Sequence, residues 1–331
     1  MRIAVFDTHR FERETFRVAN ERYEHEITFF EPRLTRHTSA LAAGFEAVCP
    51  FVNDRLDAET LNILHGNGLR LVALRSAGYN NVDLPAAARL NLPVVRVPEY
   101  SPYAVAEYAV CLILALNRKI HRAYNRVRES NFSLDGLVGF DLHGKTVGVI
   151  GTGRIGAVLA GIMRGFGCDV IAHDLKPDEQ LAARVGLRYV DLPELYRRSD
   201  VVSLHVPLTT RTHHLIDANA IAGMKRGVFL INTGRGALLD SRALVAALKS
   251  GHIGAAGLDV YEEEAGVFFQ DLSDQVLQDD VLARLLTFPN VLVTSHQGFL
   301  TREALSGIAD TTLGNVRAFE LGHPLANLVT A

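Results

Sequence analysis

The chain has 331 residues, a formal net charge of −3 and 48% apolar residues. This length exceeds one typical hydrophobic core, so we expect two domains. Acidic and basic residues are interspersed, and the lack of a broad basic field argues against a nucleic-acid partner. The longest apolar run, Ala104–Leu116, contains Glu107 and is too short to span a bilayer, so no membrane partner is expected.

The cysteines and the start of the chain predict a cytoplasmic protein. Cys49, Cys111 and Cys168 are odd in number and far apart, without C-x-x-C spacing, so we expect reduced thiols and no metal site. The N-terminus enters a strand at once and lacks the apolar region and cleavage site of a signal peptide.

Short β-rich runs alternate with helical patterns, which predicts parallel sheets covered by helices. Ser101-Pro102 is typical of an N-cap followed by proline at the first helical position, and we expect the long helix that follows to enter the second domain. After the last predicted strand no further βα unit follows, so the tail could return to the first domain. The predicted strands are Arg2–Phe6, Glu26–Phe30, Arg70–Arg75, Val94–Val97, Thr146–Ile150, Asp169–His173, Val201–His205, Val228–Asn232, Ala256–Val260 and Val291–Thr294.

A glycine motif, Gly151-Thr152-Gly153-Arg154-Ile155-Gly156, follows a predicted strand and opens a helix. Gly151 permits a tight turn, Gly153 lets the backbone approach a pyrophosphate, and Gly156 permits close helix packing. The N–H groups and dipole of the helix then bind the phosphates. Asp174 ends the next strand, where its carboxylate can accept hydrogen bonds from ribose hydroxyls and repel the extra phosphate of NADP. The expected cofactor is therefore NAD.

Three polar blocks follow successive predicted strands: NTGRG at 232–236, GLDVYEEE at 257–264 and SHQ at 295–297. Because the carboxyl ends of parallel strands converge, we expect Arg235, Glu264 and His296 to meet. With the glycine motif, the Ser101-Pro102 helix start and RSAGYN at 75–80, these blocks resemble the D-2-hydroxyacid dehydrogenases over nearly the whole chain.

The resemblance implies an α/β fold of two Rossmann-like parallel-sheet domains, one flavodoxin-like and one dinucleotide-binding, with a cleft between them. Residues 1–100 and 299–331 would form the substrate domain, and residues 101–298 the NAD-binding domain. It also implies a homo-oligomer, a dimer or tetramer, joined through the NAD domain. The apolar run Ala104–Leu116 is a candidate contact, although burial within its own subunit explains it equally well.

Reduction of a 2-keto acid requires a hydride donor, an acid for the carbonyl oxygen and a cation for the carboxylate. His296 suits the acid role because imidazole titrates near neutral pH. Glu264, hydrogen-bonded to it, would favour the imidazolium and orient the ring. Arg235 offers a planar fork to the substrate carboxylate and carbonyl. The choice of Glu264 among the three consecutive glutamates follows the family spacing after Asp259.

The resemblance also assigns the remaining contacts. Ala77 and Gly78 would bind the substrate carboxylate through a nest of N–H groups. Asp259 would support the nicotinamide side of the site. The predicted substrate-binding residues are Ser76, Ala77, Gly78, Tyr100 and Phe299, and the predicted cofactor-binding residues are Gly151, Gly153, Arg154, Ile155, Gly156, Asp174, Val206, Pro207, Thr233 and Asp259.

The segment after Glu264 resembles the D-lactate dehydrogenase branch, through Phe268-Phe269, Asp279-Asp280 and SHQGFLT at 295–301. Tyr100 and Phe299 would present apolar walls that favour a methyl group. The expected reaction is the reversible, NADH-dependent reduction of pyruvate to D-lactate. The alternatives are a dehydrogenase for hydroxyisocaproate, phenyllactate or glycerate, and a non-enzymatic NADH-sensing corepressor.

Overall fold

The computed structural model describes residues 1–264 and 266–330. The chain forms two compact units, one of Met1–Ser101 with the segment from Leu300 onward, the other of Pro102–Phe299. Each point at which the chain passes from one unit to the other lies one residue from the expected domain boundary. Ser101 belongs to the first unit because the long helix begins only at Pro102. Phe299 belongs to the second, and the N–H of the preceding Gly298 is bonded there to Asp259.

The first unit is a parallel five-stranded sheet with the strand order β2-β1-β3-β4-β5. This is the order of flavodoxin-like sheets. The strands are β1 (Arg2–Val5), β2 (Glu26–Phe29), β3 (Ala47–Cys49), β4 (Leu71–Ala73) and β5 (Val94–Val95), and the helices are α1 (Arg10–Asn20), α2 (Ala58–Gly66), α3 (Leu84–Arg89), α12 (Arg302–Glu320) and a 3-10 turn (Ser39–Ala42). Helix α12 packs against α1 and β4, so the tail returns to this unit.

The second unit is a parallel seven-stranded sheet with the order β12-β11-β10-β9-β6-β7-β8. All strands are parallel, but the direction in which successive strands are added across the sheet reverses between β6 and β9, as in dinucleotide-binding folds. The strands are β6 (Thr146–Ile150), β7 (Asp169–His173), β8 (Arg188–Tyr189), β9 (Val201–Leu204), β10 (Val228–Asn232), β11 (Ile253–Leu258) and β12 (Val291–Val293). The helices are α4 (Pro102–Arg118), α5 (Ile120–Arg128), α6 (Arg154–Gly165), α7 (Glu179–Val185), α8 (Leu192–Arg198), α9 (Ala218–Ala222), α10 (Ser241–Ser250), α11 (Asp280–Leu286) and a 3-10 turn (Gly236–Leu238).

Helices cover both faces of the second sheet, so its strands are apolar on both sides. Along β6, Val147 and Val149 belong to one buried cluster, whereas Ile150 belongs to the cluster on the opposite face. Helix α4 packs its apolar residues against α6, β10 and β11. Burial within the unit therefore accounts for the apolar run Ala104–Leu116. Within the described residues, no helix is both long enough and apolar enough to cross a bilayer.

The α/β fold with two parallel-sheet domains is confirmed, but two of its strands were not predicted. Strand β3 has three residues and is followed directly by Pro50, so it shows too little alternation for a sequence pattern. Strand β8 has two residues at the sheet edge and begins with the exposed Arg188. Strand β11 begins at Ile253, earlier than predicted, because Ile253 pairs with Val228 across a register shift.

Candidate active site

The glycine turn joins β6 to α6. Gly151 has φ +94°, and a Cβ there would lie 2.6 Å from the carbonyl oxygen of His205, so this position requires glycine. A Cβ at Gly156 would collide with the Gly151 carbonyl oxygen. Beside Gly153, in contrast, a Cβ would meet no described atom within 4 Å. This open space in front of the helix N-terminus, whose first turn includes Arg154 and Ile155, fits a pyrophosphate.

The Asp174 carboxylate, after β7, is fixed by the glycine turn itself. One carboxylate oxygen accepts the Thr152 N–H at 2.7 Å and the Thr152 hydroxyl at 3.1 Å, and the other accepts the Lys176 N–H at 2.9 Å. The Tyr189 hydroxyl lies 2.9 Å from the same Thr152 hydroxyl. Partial burial alone would raise the pKa of Asp174, but these hydrogen bonds outweigh it and the pKa is lowered. Asp174 is therefore an anion at neutral pH.

Three predicted cofactor contacts follow neighbouring strands. Val206 and Pro207 come shortly after β9, and Thr233 directly after β10. Thr233 is buried, and its hydroxyl oxygen has no hydrogen-bond partner among the described residues. Because buried polar atoms are rarely left unpaired, this hydroxyl fits a polar group of a ligand. Together with the glycine turn, it makes the second unit suited to a dinucleotide.

His296 and Glu264 form a hydrogen-bonded pair beyond the ends of β12 and β11. Nδ1 of His296 lies 2.9 Å from Oε1 of Glu264, and the side chains are 20% and 22% exposed. Oε2 of Glu264 accepts the Tyr261 N–H at 3.2 Å, which fixes the carboxylate. Among the described residues Nε2 of His296 has no partner, so this nitrogen is available to a ligand.

Asp259 holds the segment that carries His296. The buried carboxylate accepts the Thr294 hydroxyl at 2.6 Å, the Gln297 N–H at 2.9 Å and the Gly298 N–H at 2.8 Å. The Asp259 carbonyl accepts the His296 N–H at 2.8 Å. Asp259 was predicted as a cofactor contact, which stays a prediction. Its role in positioning His296 was missed, because no sequence pattern marks a buried carboxylate that bonds a distant loop.

Arg235 follows β10, the strand beside β11. Its Nη1 donates to the Gly234 carbonyl at 2.7 Å, and within the described part of the chain no carboxylate pairs with it. The buried Asn232 side chain donates to the Arg235 carbonyl at 2.9 Å and accepts the Gly234 N–H at 3.1 Å. Asn232 thus shapes the turn, a role that sequence reasoning did not assign. Because β10, β11 and β12 are neighbours, Arg235, Glu264 and His296 lie along the same edge of the sheet.

A second histidine lies at this edge but differs in environment. His205 follows β9, and its Nε2 lies 2.8 Å from the Ser203 hydroxyl. Burial lowers the pKa of His205 to about 4. It is therefore neutral at physiological pH and is not the imidazolium that a general acid of this reaction would be. His296, with a carboxylate partner, is the histidine suited to acid chemistry.

In the first unit, Ser76, Ala77 and Gly78 follow β4. The Ser76 hydroxyl donates to the Gly78 carbonyl at 2.8 Å, and Nη1 of Arg96 donates to the Ala77 carbonyl at 2.8 Å. The N–H groups of the three residues find no acceptor among the described residues. Because the carbonyl oxygens of this segment already accept hydrogen bonds while its N–H groups have no acceptor among the described residues, the segment can act as an anion-binding nest. The other two predicted substrate contacts are half-buried, Tyr100 in the first unit and Phe299 in the second.

A buried ion pair precedes this nest. Arg75 donates to Glu12 at 2.9 and 3.0 Å, and its side chain is fully buried. It also donates to the carbonyls of Phe6, Asp7 and Cys49, which follow or end strands β1 and β3. The Arg75 guanidinium is thus hydrogen-bonded to Glu12 and to the carboxyl ends of β1 and β3, and these bonds fix the backbone that leads into Ser76.

The second unit thus contains a glycine turn beside a fixed carboxylate, a histidine paired with a carboxylate, and an arginine without an anionic partner among the described residues. These features define the class of NAD-dependent dehydrogenases that act on acids.

Comparison with known proteins indicates the same class of enzyme. Residues 110–298 match the family D-isomer specific 2-hydroxyacid dehydrogenase, NAD binding domain. The 2-hydroxyacid dehydrogenase homolog 1 of Schizosaccharomyces pombe is 54% identical over 320 residues, 96% of each chain. The D-lactate dehydrogenase of Escherichia coli is 50% identical over 327 residues, 99% of each chain. The solved structure of the pyruvate reductase of Chlamydomonas reinhardtii superposes with a TM-score of 0.94 at 46% identity, covering 99% of this chain and 98% of that one.

The chain belongs to the D-isomer specific 2-hydroxyacid dehydrogenase family, in its D-lactate dehydrogenase branch, and is an NAD-dependent dehydrogenase. The predictions of the family and of NAD as cofactor are confirmed. The individual site residues stay predictions, supported by the geometry above.

Asp174 should set the preference for NADH over NADPH, because its anion opposes a 2′-phosphate. The Asp174→Ala variant should use the two cofactors with more similar kcat/KM, mainly through a higher KM for NADH. Since its pKa is lowered, the wild-type preference should persist at pH 5.5. Asp178→Asn is the matched control, because it removes one negative charge from the N-cap of α7 and keeps a capping side chain. Equal wild-type use of both cofactors would refute the assignment.

Proposed function

We propose that this enzyme reduces pyruvate to D-lactate with NADH, reversibly. The observation that carries the proposal is the His296–Glu264 pair on the same sheet edge as Arg235, which has no carboxylate partner among the described residues. The names of two relatives, a D-lactate dehydrogenase and a pyruvate reductase, support this substrate. We assign cofactor binding to the second unit, which also carries Arg235, His296 and Phe299, and the remaining substrate-binding residues to the first.

The side chains supply charge and a proton to the reaction. NADH, when bound, supplies the hydride. His296 donates the proton from Nε2 to the carbonyl oxygen of the substrate, while Nδ1 stays bonded to Glu264. The Glu264 carboxylate orients the ring through Nδ1 during the transfer. Arg235 binds the carboxylate of the substrate through its planar fork. The N–H groups of Ser76, Ala77 and Gly78 also suit that carboxylate.

Tyr100 and Phe299 are the proposed walls for the substrate side chain. Apolar walls favour methyl over hydroxymethyl, and discrimination by one such group is modest, about 10- to 200-fold. The assignment of pyruvate as the substrate can be tested by measuring kcat/KM for pyruvate, 2-ketoisocaproate, phenylpyruvate and hydroxypyruvate. A higher value for any of the last three would replace pyruvate as the assignment. A corepressor-like protein would bind NADH and turn over none of the four at a useful rate.

We further propose that the enzyme works in the cytoplasm as a homo-oligomer joined through the cofactor unit. The three cysteines are free thiols, as suits a reducing compartment. Helix α5 and the segment after it expose a set of large apolar side chains, Ile120, Tyr124, Val127, Phe132, Leu134 and Val138. A second copy of this chain would bury them, because extended apolar patches on soluble proteins commonly mark protein contacts.

Self-association can be measured by size-exclusion chromatography with light scattering. We expect a wild-type mass of two or four chains, and a lower mass for the double variant Phe132→Asp with Leu134→Asp. Val18→Asp, at an exposed apolar position on α1 of the other unit, is the control and should keep the wild-type mass. A monomeric wild type, or an unchanged mass in the double variant, contradicts the proposed surface.

His296→Gln should lower kcat for pyruvate reduction by about 10²–10⁴-fold, the usual contribution of general acid catalysis. NADH binding, followed by fluorescence titration, should stay near wild type. Glu264→Gln should also lower kcat, since the ring loses its anionic partner. Its matched control is Glu263→Gln, an exposed neighbour in the same turn. A near-normal rate in the His296 variant would exclude this mechanism.

Arg235 separates an enzyme from a protein that only binds NADH. Arg235→Lys keeps the charge and loses the bidentate geometry, so kcat/KM for pyruvate should fall about 10- to 100-fold, the effect of one charge-assisted hydrogen bond. Both KM and kcat should change, because the interaction strengthens in the transition state. NADH affinity should not change. If kcat/KM equals that of the wild type, Arg235 does not bind the substrate.

A further inference from the structure

A second histidine–glutamate cluster lies in the cofactor unit and uses the same turn that carries Glu264. Nε2 of His214 lies 2.5 Å from Oε1 of Glu262, and the His213 ring stacks on the His214 ring with centroids 4.0 Å apart. One donor atom from each of His213, His214 and Glu262 lies within 4.8 Å of the other two. The reaction proposed above uses none of these three side chains.

We propose that His213, His214 and Glu262 bind one divalent transition-metal ion, with Zn²⁺ as the best fit. Two imidazoles and one carboxylate are a ligand set that Zn²⁺ uses when a further position stays open to water. In a tetrahedral site with bonds of about 2.0–2.2 Å, the donor atoms lie about 3.3 Å apart. Nε2 of His214 and Oε1 of Glu262, now 2.5 Å apart, must therefore separate slightly as the ion replaces the proton they share, while the His213 donor must approach them.

The backbone already fixes two of the three ligands. His214 has φ +50°, and its N–H donates to the Ala237 carbonyl at 2.8 Å. A left-handed backbone at a residue other than glycine is strained, and it persists only where the surroundings impose it. The second carboxylate oxygen of Glu262 accepts the Ser241 N–H at 3.3 Å, which leaves Oε1 directed at His214. The order required of these two ligands thus exists before an ion binds.

The third ligand gives the site its access to solvent. His213 is exposed, and its N–H donates to the Thr209 carbonyl at 2.9 Å, so the backbone is held while the ring can rotate. The side chains of His214 and Glu262 are 32% and 22% exposed, so an ion can reach all three. Imidazole and carboxylate together favour Zn²⁺, Ni²⁺ or Co²⁺ over Mg²⁺, which prefers oxygen ligands alone.

A bound ion would connect two segments that the sequence separates. His213 and His214 lie in the loop after β9, and Glu262 lies in the turn after β11. The same turn carries Glu264, two residues further on. His214 and Glu262 are 48 residues apart in the chain. Metal sites are recognised in sequences by short spacings between ligands, so the sequence did not predict this site.

The test uses the full chain without a histidine tag, freed of metal by a chelator and titrated with Zn²⁺ by calorimetry. We expect one ion per chain, a melting temperature that rises with Zn²⁺ concentration, and visible absorption of a tetrahedral site with Co²⁺. His213→Ala leaves the His214–Glu262 hydrogen bond intact, so the chain should fold normally and bind Zn²⁺ at least tenfold more weakly. Glu262→Gln should weaken binding similarly.

His323→Ala is the matched control, since His323 is exposed and lies in the other unit, so Zn²⁺ affinity should be unchanged. Two results would overturn the proposal. One is a wild type without a saturable one-equivalent site, and the other is a folded His213→Ala variant with wild-type affinity and the wild-type Co²⁺ spectrum.

Discussion

The buried carboxylate of Asp259 is the constraint on which the acid–base site depends. Taking an anion out of water is costly unless hydrogen bonds replace its hydration, and here three donors from residues 294–298 do so. The same bonds fix the loop that presents His296 to Glu264. The hydrogen bonds that the buried carboxylate requires are therefore the same ones that anchor this loop.

This anchoring allows backbone strain near the chemistry. His296 has φ +51° and Phe269, whose ring lies 6.0 Å from that of His296, has φ +63°. Such conformations cost about 1–3 kcal/mol each in residues other than glycine. The turn after β11 also places several side chains in defined positions. Glu262 is hydrogen-bonded to His214 and Glu264 to His296, whereas Glu263 between them is exposed. Alternate side chains of one short turn therefore serve two different histidines.

Sequence reasoning was strongest where a local pattern has a direct physical cause. The glycine turn was visible because Gly151 needs a positive φ and Gly156 a close approach. Strands β6, β7 and β10 have the predicted bounds. Asn232 and Asp259 were present in the recognised blocks, but their hydrogen bonds depend on how loops from different strands meet. Short strands such as β3 lack enough residues to form a pattern.

Residue type alone does not decide which histidine acts as the acid. His205 and His296 both follow strands of the same sheet, at the edge where a ligand of such a fold binds. Burial beside the Ser203 hydroxyl lowers the pKa of one to about 4, so it is neutral before any substrate arrives. The other is bonded through Nδ1 to the Glu264 carboxylate at 2.9 Å, and its side chain is 20% exposed. Of these two histidines, only His296 is bonded to a carboxylate among the described residues, and that bond at Nδ1 leaves Nε2 for the carbonyl oxygen, which is why we propose it as the proton donor.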